Sequence, residues 1–223
     1  GVDDRESRAG GVALMLSRLV AAAITTATRL LTGARTIWTA PPPPGLQRVY
    51  FANHSSHGDF VLLWSALDPS ERARTRPVAG ADYWNGDPLR RFIGHRVFRA
   101  VLVDRNPTTR KADPVEQMLE AIDADDSLIL FPEGTRNLTE ERLLPFKAGL
   151  WHVGRRRPAL NLVPVWIDNL NRVMPKGELL PVPLLCTVRF GEPLHVEEGE
   201  AKDAFLHRAR EALLALAPDT DDR

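Results

Sequence analysis

The sequence predicts an α/β protein, an αβα sandwich around a largely parallel central sheet, preceded by an N-terminal amphipathic helical segment. Short apolar runs alternate with stretches of helical period from residue 45 onward, the pattern of strands layered between helices. Polar residues able to do chemistry follow directly on several of those runs, where open α/β folds hold their sites. The chain has 223 residues, 43% hydrophobic and 26% charged, which suits one sizeable domain and argues against disorder. The organisation expected is residues 1–44 for the helical segment and a Pro-rich spacer, then 45–223 for the sandwich.

The elements follow in order. Over residues 10–37, Arg18, Thr25, Arg29, Thr32 and Thr36 share one side of a helical wheel. Leu16, Val20, Ala23, Ala27, Leu31 and Ala34 share the other. Such a helix either lies in a membrane interface or packs on the protein's own core. It contains no charge-free run of about 18 residues, which argues against an unbroken transmembrane span. No signal peptide is recognisable after Gly1. Pro41–Pro44 end the helix and form a stiff spacer. Strands are expected at 48–52, 100–104, 127–131, 161–167 and 184–190. Helices are expected at 60–67, 88–93, 111–122, 147–155 and 201–217; in the last, Phe205, Ala209, Ala212, Leu213 and Leu216 recur at helical spacing. Pro164 removes a ladder donor from its strand and points to an edge, a bulge or a bend.

Charge narrows the function classes. The net charge is zero, yet residues 8–58 carry five arginines and no acidic residue, and 70–111 carry ten basic against four acidic residues. The segment from Glu192 onward holds nine acidic and four basic residues. A basic half suits an anionic partner: a membrane surface, a phosphorylated substrate or nucleic acid. Nucleic acid is excluded as the partner, because no recognised motif or aromatic stacking series accompanies the arginines. The single cysteine, Cys186, excludes an intramolecular disulfide and a cysteine-built zinc site, and favours a reducing compartment.

Four segments carry chemistry. Asn53-His54-Ser55-Ser56-His57-Gly58-Asp59 follows an apolar strand. With Asp59 in the first turn of the next helix, its carboxylate reaches back to the His54 imidazole, fixes the tautomer and leaves the other ring nitrogen as a base. No serine or cysteine sits at a nucleophile elbow, so a substrate hydroxyl is the candidate nucleophile. Two other readings exist: a helix-capping Asp beside an exposed His, and metal ligation by His54, His57 and Asp59. The spacing matches neither a His-x-His-x-Asp-His run nor His-Glu-x-x-His, so no metal is expected. Phe131-Pro132-Glu133-Gly134-Thr135-Arg136 combines a tight turn at Gly134 with a guanidinium suited to phosphate. Leu102-Val103-Asp104-Arg105-Asn106 brings a second arginine to the same edge, and Val163-Pro164-Val165 is the fourth segment.

Together and in this order, these segments resemble the glycerolipid acyltransferase family of lysophosphatidic acid acyltransferases. His54-x4-Asp59 is similar to that family's first block, Leu102–Asn106 to its second, Phe131–Arg136 to its third and Val163–Val165 to its fourth. Phe146-Lys147-x-Gly149 resembles a further common feature. The match spans about residues 48–168. The resemblance implies an acyltransferase domain over 45–223 in which His54 deprotonates the free hydroxyl of lysophosphatidic acid and Asp59 holds the ring. The oxygen would attack the thioester of an acyl-CoA or acyl-carrier protein, giving phosphatidic acid with no cofactor. Arg105 and Arg136 would grip the acceptor phosphate, with Glu133, Gly134 and Thr135 shaping that pocket. It also implies peripheral or monotopic attachment to the cytoplasmic face of a membrane through the N-terminal helix. The family often has glycine where Arg99 stands here, which puts charge and bulk at the expected acceptor site. Lysophosphatidylethanolamine or a lyso-aminolipid is the alternative acceptor, and a non-catalytic lipid-binding scaffold the alternative class. The intact His54/Asp59 pair speaks against the scaffold.

Overall fold

The computed structural model describes residues 3–40, 43, 45–104, 108, 112–168 and 185–218, with side chains from Gly10 onward. Seven strands are β1 (Arg35–Trp38), β2 (Arg48–Ala52), β3 (Thr75–Gly80), β4 (Val101–Val103), β5 (Ser127–Leu130), β6 (Asn161–Asp168) and β7 (Thr187–Phe190). Eight helices are α1 (Asp3–Thr32), α2 (Asp59–Ala66), α3 (Pro69–Ala73), α4 (Ala81–Trp84), α5 (Pro88–Phe92), α6 (Pro114–Asp123), α7 (Gly149–Arg156) and α8 (Lys202–Leu214) among the described residues, with one π-helical turn at Ile93–Val97.

The strands form one sheet in the order β1-β7-β6-β2-β5-β3-β4, parallel at every pairing except β6 with β7. β2 is the central strand and all five of its residues are buried. Val49 and Phe51 join the apolar cluster beneath α6, α7 and α8, while Tyr50 and Ala52 join the cluster beneath α1 and α2. A strand covered on both faces is apolar on both. The result is three layers, as the alternation of runs predicts.

The sequence reading misses β1 and β3. Gly33, at φ +50°, ends α1, and its N–H closes on the Arg29 carbonyl at 3.0 Å. Residues 35–37, expected to continue the helix, instead form with Trp38 an edge strand beside β7. In β3, Pro77 and Arg76 break the apolar pattern; the strand pairs with β5 through Thr75–Pro77 and with β4 through Val78–Gly80. Pro164 is not on an edge. It sits inside β6, where the ladder to β7 stops at Val165 and resumes only as a Leu162–Leu194 bridge. The proline therefore occupies the break, where its missing N–H costs no ladder bond.

α1 does not divide along the two expected sides. Ser17, Thr25 and Thr32 are buried at 7%, 6% and 5% exposure, while Met15, Leu19 and Leu30 stand out at 64%, 58% and 79%. The buried hydroxyls are satisfied by carbonyls one turn back: Ser17 on Leu14, Thr25 on Ala21, Thr32 on Thr28, at 2.7–2.8 Å. Val20, Ala21 and Ile24 pack toward the domain. Gly10–Thr32 is long and apolar enough to cross a membrane, Arg18 and Arg29 notwithstanding.

Candidate active site

The site forms where β2 and β5 end, next to the end of β6. Asn53, the first residue past β2, is buried, and its side-chain amide bonds the backbone of Ile167. Nδ2 donates to the carbonyl at 2.9 Å, and Oδ1 accepts from the Ile167 N–H at 2.7 Å. The amide thereby continues the β2–β6 ladder by one residue and fixes where the chain leaves the sheet.

His54 follows, held at every available point. Its N–H donates to Glu133 Oε1 at 2.9 Å, and its carbonyl accepts from the Asn137 N–H at 2.6 Å. Its ring stacks on Phe131, with centroids 4.2 Å apart. Nδ1 lies 2.9 Å from Asp59 Oδ2. Since an ionised carboxylate only accepts, the pair fixes the proton on Nδ1 and leaves Nε2 as the acceptor. Nε2 has no partner among the described residues.

Asp59 is fully buried as the first residue of α2, where the helix dipole favours a carboxylate. Its Oδ2 also accepts from the Ser55 and Ser56 N–H groups at 2.7 and 2.8 Å. Three donors on one oxygen fix that carboxylate in place; Oδ1 is buried without a partner among the described residues.

Glu133 is 2% exposed. Oε1 takes the His54 N–H and Oε2 the Leu144 N–H, at 2.9 and 2.8 Å. Burial raises its pKa above the ordinary glutamate value, and the two amide bonds pull the other way. Oε1 thus braces the loop that carries His54, and Oε2 ties it to the segment leading to α7. Gly134 takes φ +69° in a turn closed by its own N–H on the Phe131 carbonyl at 3.0 Å. Thr135 is exposed and Arg136 half-buried, and neither side chain has a hydrogen-bond or ionic partner among the described residues. Burial, and then the charges of Arg136 and His54, hold the His57 imidazole below its usual pKa. His57 is exposed and stacks on Tyr83 at 5.7 Å. Arg105 lies outside the described residues.

Arg99 is not at the acceptor site. It precedes β4, at the opposite edge of the sheet, and pairs with Asp126 at 3.0 Å just before β5 begins. Its φ is +51°, a left-handed conformation in which glycine is unstrained, so the position's preference concerns backbone geometry. Cys186 is buried, and burial pushes its thiol up to about 11, so it is no nucleophile at neutral pH. Among the described residues no group of three His, Cys, Asp or Glu side chains converges as metal ligands would.

Asn53, Phe131 and Asn137 escape a reading that looks for titratable groups. Asn53 alone left a signal, an amide at the end of an apolar run.

Residues 39–168 match the family model described as Acyltransferase, and the chain belongs to that family. It is 31% identical over 154 residues to the 1-acyl-sn-glycerol-3-phosphate acyltransferase of Cocos nucifera, covering 68% of this chain and 47% of that protein. It is 30% identical over 156 residues to the enzyme of the same name from Limnanthes douglasii, covering 67% and 51%. The chain thus spans about half the length of these relatives. The fold matches the crystal structure of the 1-acyl-sn-glycerophosphate (LPA) acyltransferase PlsC from Thermotoga maritima. The TM-score is 0.69 at 18% identity, over 93% of this chain and 87% of that one.

Proposed function

We propose that this protein transfers a fatty acyl group from an acyl-CoA or acyl-carrier-protein thioester to the sn-2 hydroxyl of lysophosphatidic acid, giving phosphatidic acid. The observation that carries the reading is the 2.9 Å contact between His54 Nδ1 and the buried Asp59, with Nε2 without a partner among the described residues. Nε2 takes the acceptor's hydroxyl proton as its oxygen bonds to the thioester carbonyl carbon. The tetrahedral intermediate collapses with cleavage of the C–S bond, and the imidazolium returns the proton to the departing thiolate. The acceptor oxygen is the nucleophile throughout, so no acyl-enzyme forms. A well-placed base contributes typically about 10²–10⁴-fold, and positioning of the two substrates several further kcal/mol. Arg136, half-buried and without an acidic partner among the described residues, binds the acceptor phosphate. Arg105 assists it, Gly134 and Thr135 shape the pocket, and the reaction takes no cofactor.

Both the acceptor and the product live in a bilayer. The outward leucines of α1 enter one leaflet on its cytoplasmic face, leaving the protein attached without spanning. Arg18, exposed on α1, offers its charge to anionic headgroups. The test is thiol release from a long-chain acyl-CoA in detergent micelles, with and without lysophosphatidic acid, and with the product identified by mass. Acceptor-dependent release with formation of phosphatidic acid is expected. Release that ignores the acceptor, or no transfer from either CoA or carrier-protein thioesters, overturns the reading.

A further inference from the structure

The turn that carries Arg136 also meets a second cation, supplied from eleven residues further along by the chain entering α7. The Lys147 N–H donates to the Pro132 carbonyl at 2.8 Å, which ties that chain to the turn. From there the lysine side chain runs directly over Gly134. A Cβ placed on Gly134 would lie 2.7 Å from Lys147 Cδ, 2.7 Å from Cε and 2.8 Å from Nζ. Gly134 is therefore doubly constrained: its φ of +69° favours glycine, and any side chain would displace the lysine. Among the described residues the ammonium has no ion pair, and neither has Arg136. The neighbouring carboxylates are not available to it, since Glu133 gives both oxygens to backbone amides and Asp59 is buried beneath His54.

Two cations, one on the turn and one lying over it, neither with a counterion among the described residues, suit an anion of more than one charge. Their chemistry is complementary: arginine offers a planar fork, lysine a compact point charge with three donors. We propose that Lys147 is a further phosphate-binding residue, and that together with Arg136 it selects acceptors bearing a phosphomonoester dianion over those bearing a phosphodiester. This rests on the acceptor reading above and adds to it the residue that sets headgroup preference. A phosphodiester headgroup carries one negative charge whatever the pH. A phosphomonoester gains its second near about pH 6, so the contribution of Lys147 grows as that proton leaves.

The experiment compares wild type, Lys147→Ala, Lys147→Gln and Lys147→Arg with lysophosphatidic acid and lysophosphatidylethanolamine in the same micelles, between about pH 5.5 and 8. Lys147 is exposed, so the variants should match wild type in thermal melting. For Lys147→Ala and Lys147→Gln, KM for lysophosphatidic acid should rise by about tenfold or more with kcat within about threefold. KM for lysophosphatidylethanolamine should rise by no more than about threefold, and Lys147→Arg should recover most of the loss. KM of the wild type should fall with rising pH, and that fall should flatten in the alanine variant. An unchanged KM for lysophosphatidic acid, or an equal rise for both acceptors, overturns the role given to Lys147 while leaving the reaction standing. Wild-type protein that acylates neither acceptor overturns both.

Discussion

Arg29 of α1 donates from Nε and Nη2 to the carbonyl of Ser65, at 3.1 and 2.9 Å, fastening the N-terminal helix to the last turn of α2. Arg72 adds bonds to Ser65 and Leu67 from the other side, at 3.5 and 3.1 Å. Two guanidinium groups at a helix C-terminus answer carbonyls that have no partner within the helix and complement its dipole. The same α2 starts with Asp59, so the helix with the exposed leucines and the carboxylate that orients His54 are joined through one short, buried rod.

Arg29→Ala should therefore loosen α1 rather than unfold the domain. The bonds are partly exposed, so the cost is about 1 kcal/mol, seen as a melting shift of a few degrees. Hydrogen exchange should accelerate across residues 12–32 and leave β2 and β5 protected. Uniform acceleration through the sheet would contradict the local role.

Asp59→Asn keeps an acceptor in place but removes the charge that stabilises a protonated His54. Turnover should fall by about 10²–10⁴-fold, and His54→Ala should lower it at least as far. Circular dichroism of both variants should remain native, because His54 is held mainly through its backbone. Single-turnover rates are the measurement to make, as they separate the chemical step from product release. Asp59→Asn turnover within a few-fold of wild type would remove Asp59 from the mechanism.

The position of Arg136 can be tested by titration. Burial comes first in depressing the His57 pKa, and the Arg136 charge second. Arg136→Ala should move that pKa part of the way back toward the usual 6.5, observed by NMR of the imidazole. A histidine with a depressed folded-state pKa contributes stability above its unfolded value and loses it as pH falls through the folded one. The variant should accordingly lose less stability on acidification from about pH 6.5. An unmoved His57 titration would place Arg136 away from the site mouth.

Legibility in the sequence followed the nature of each signal. β2, β5 and β6 are apolar on both faces and stood out as runs; β1 did not, because its Thr36 keeps the helical spacing of α1, although Gly33 has already ended that helix. His54 and Asp59 were readable because a histidine and an aspartate five apart have a shared chemistry. The bracing of His54 by Glu133, Asn53 and Asn137 was not, since it depends on which strands are neighbours. Arg99 was misplaced for the same reason: sequence proximity to Asp104 hid that β4 carries the two to opposite edges of the sheet. Arg99→Gly should consequently leave acceptor preference unchanged. Relief of left-handed strain and loss of the Asp126 pair, each about 1 kcal/mol, should nearly cancel in the melting temperature. A changed ratio of lysophosphatidic acid to lysophosphatidylethanolamine turnover would refute this.

The arrangement of α1 gives the last prediction its two arms. Deleting the helix through residue 37 would also remove most of β1 from the sheet, confounding attachment with folding. Point substitutions separate them. Leu16, Leu19 and Leu30 are exposed, so replacing all three with Asn should leave melting in detergent unchanged. Each leucine withdrawn from lipid forfeits about 1.5–3 kcal/mol at full burial. Even with partial insertion the triple variant should sediment with anionic liposomes at least about 100-fold more weakly. Ile24, packed toward the domain, should behave in the opposite way. Ile24→Asn places an amide against the apolar layer over the sheet, lowering the melting temperature while the outward leucines still bind lipid. Equal sedimentation of the triple variant and wild type would show that the exposed leucines are not the membrane contact.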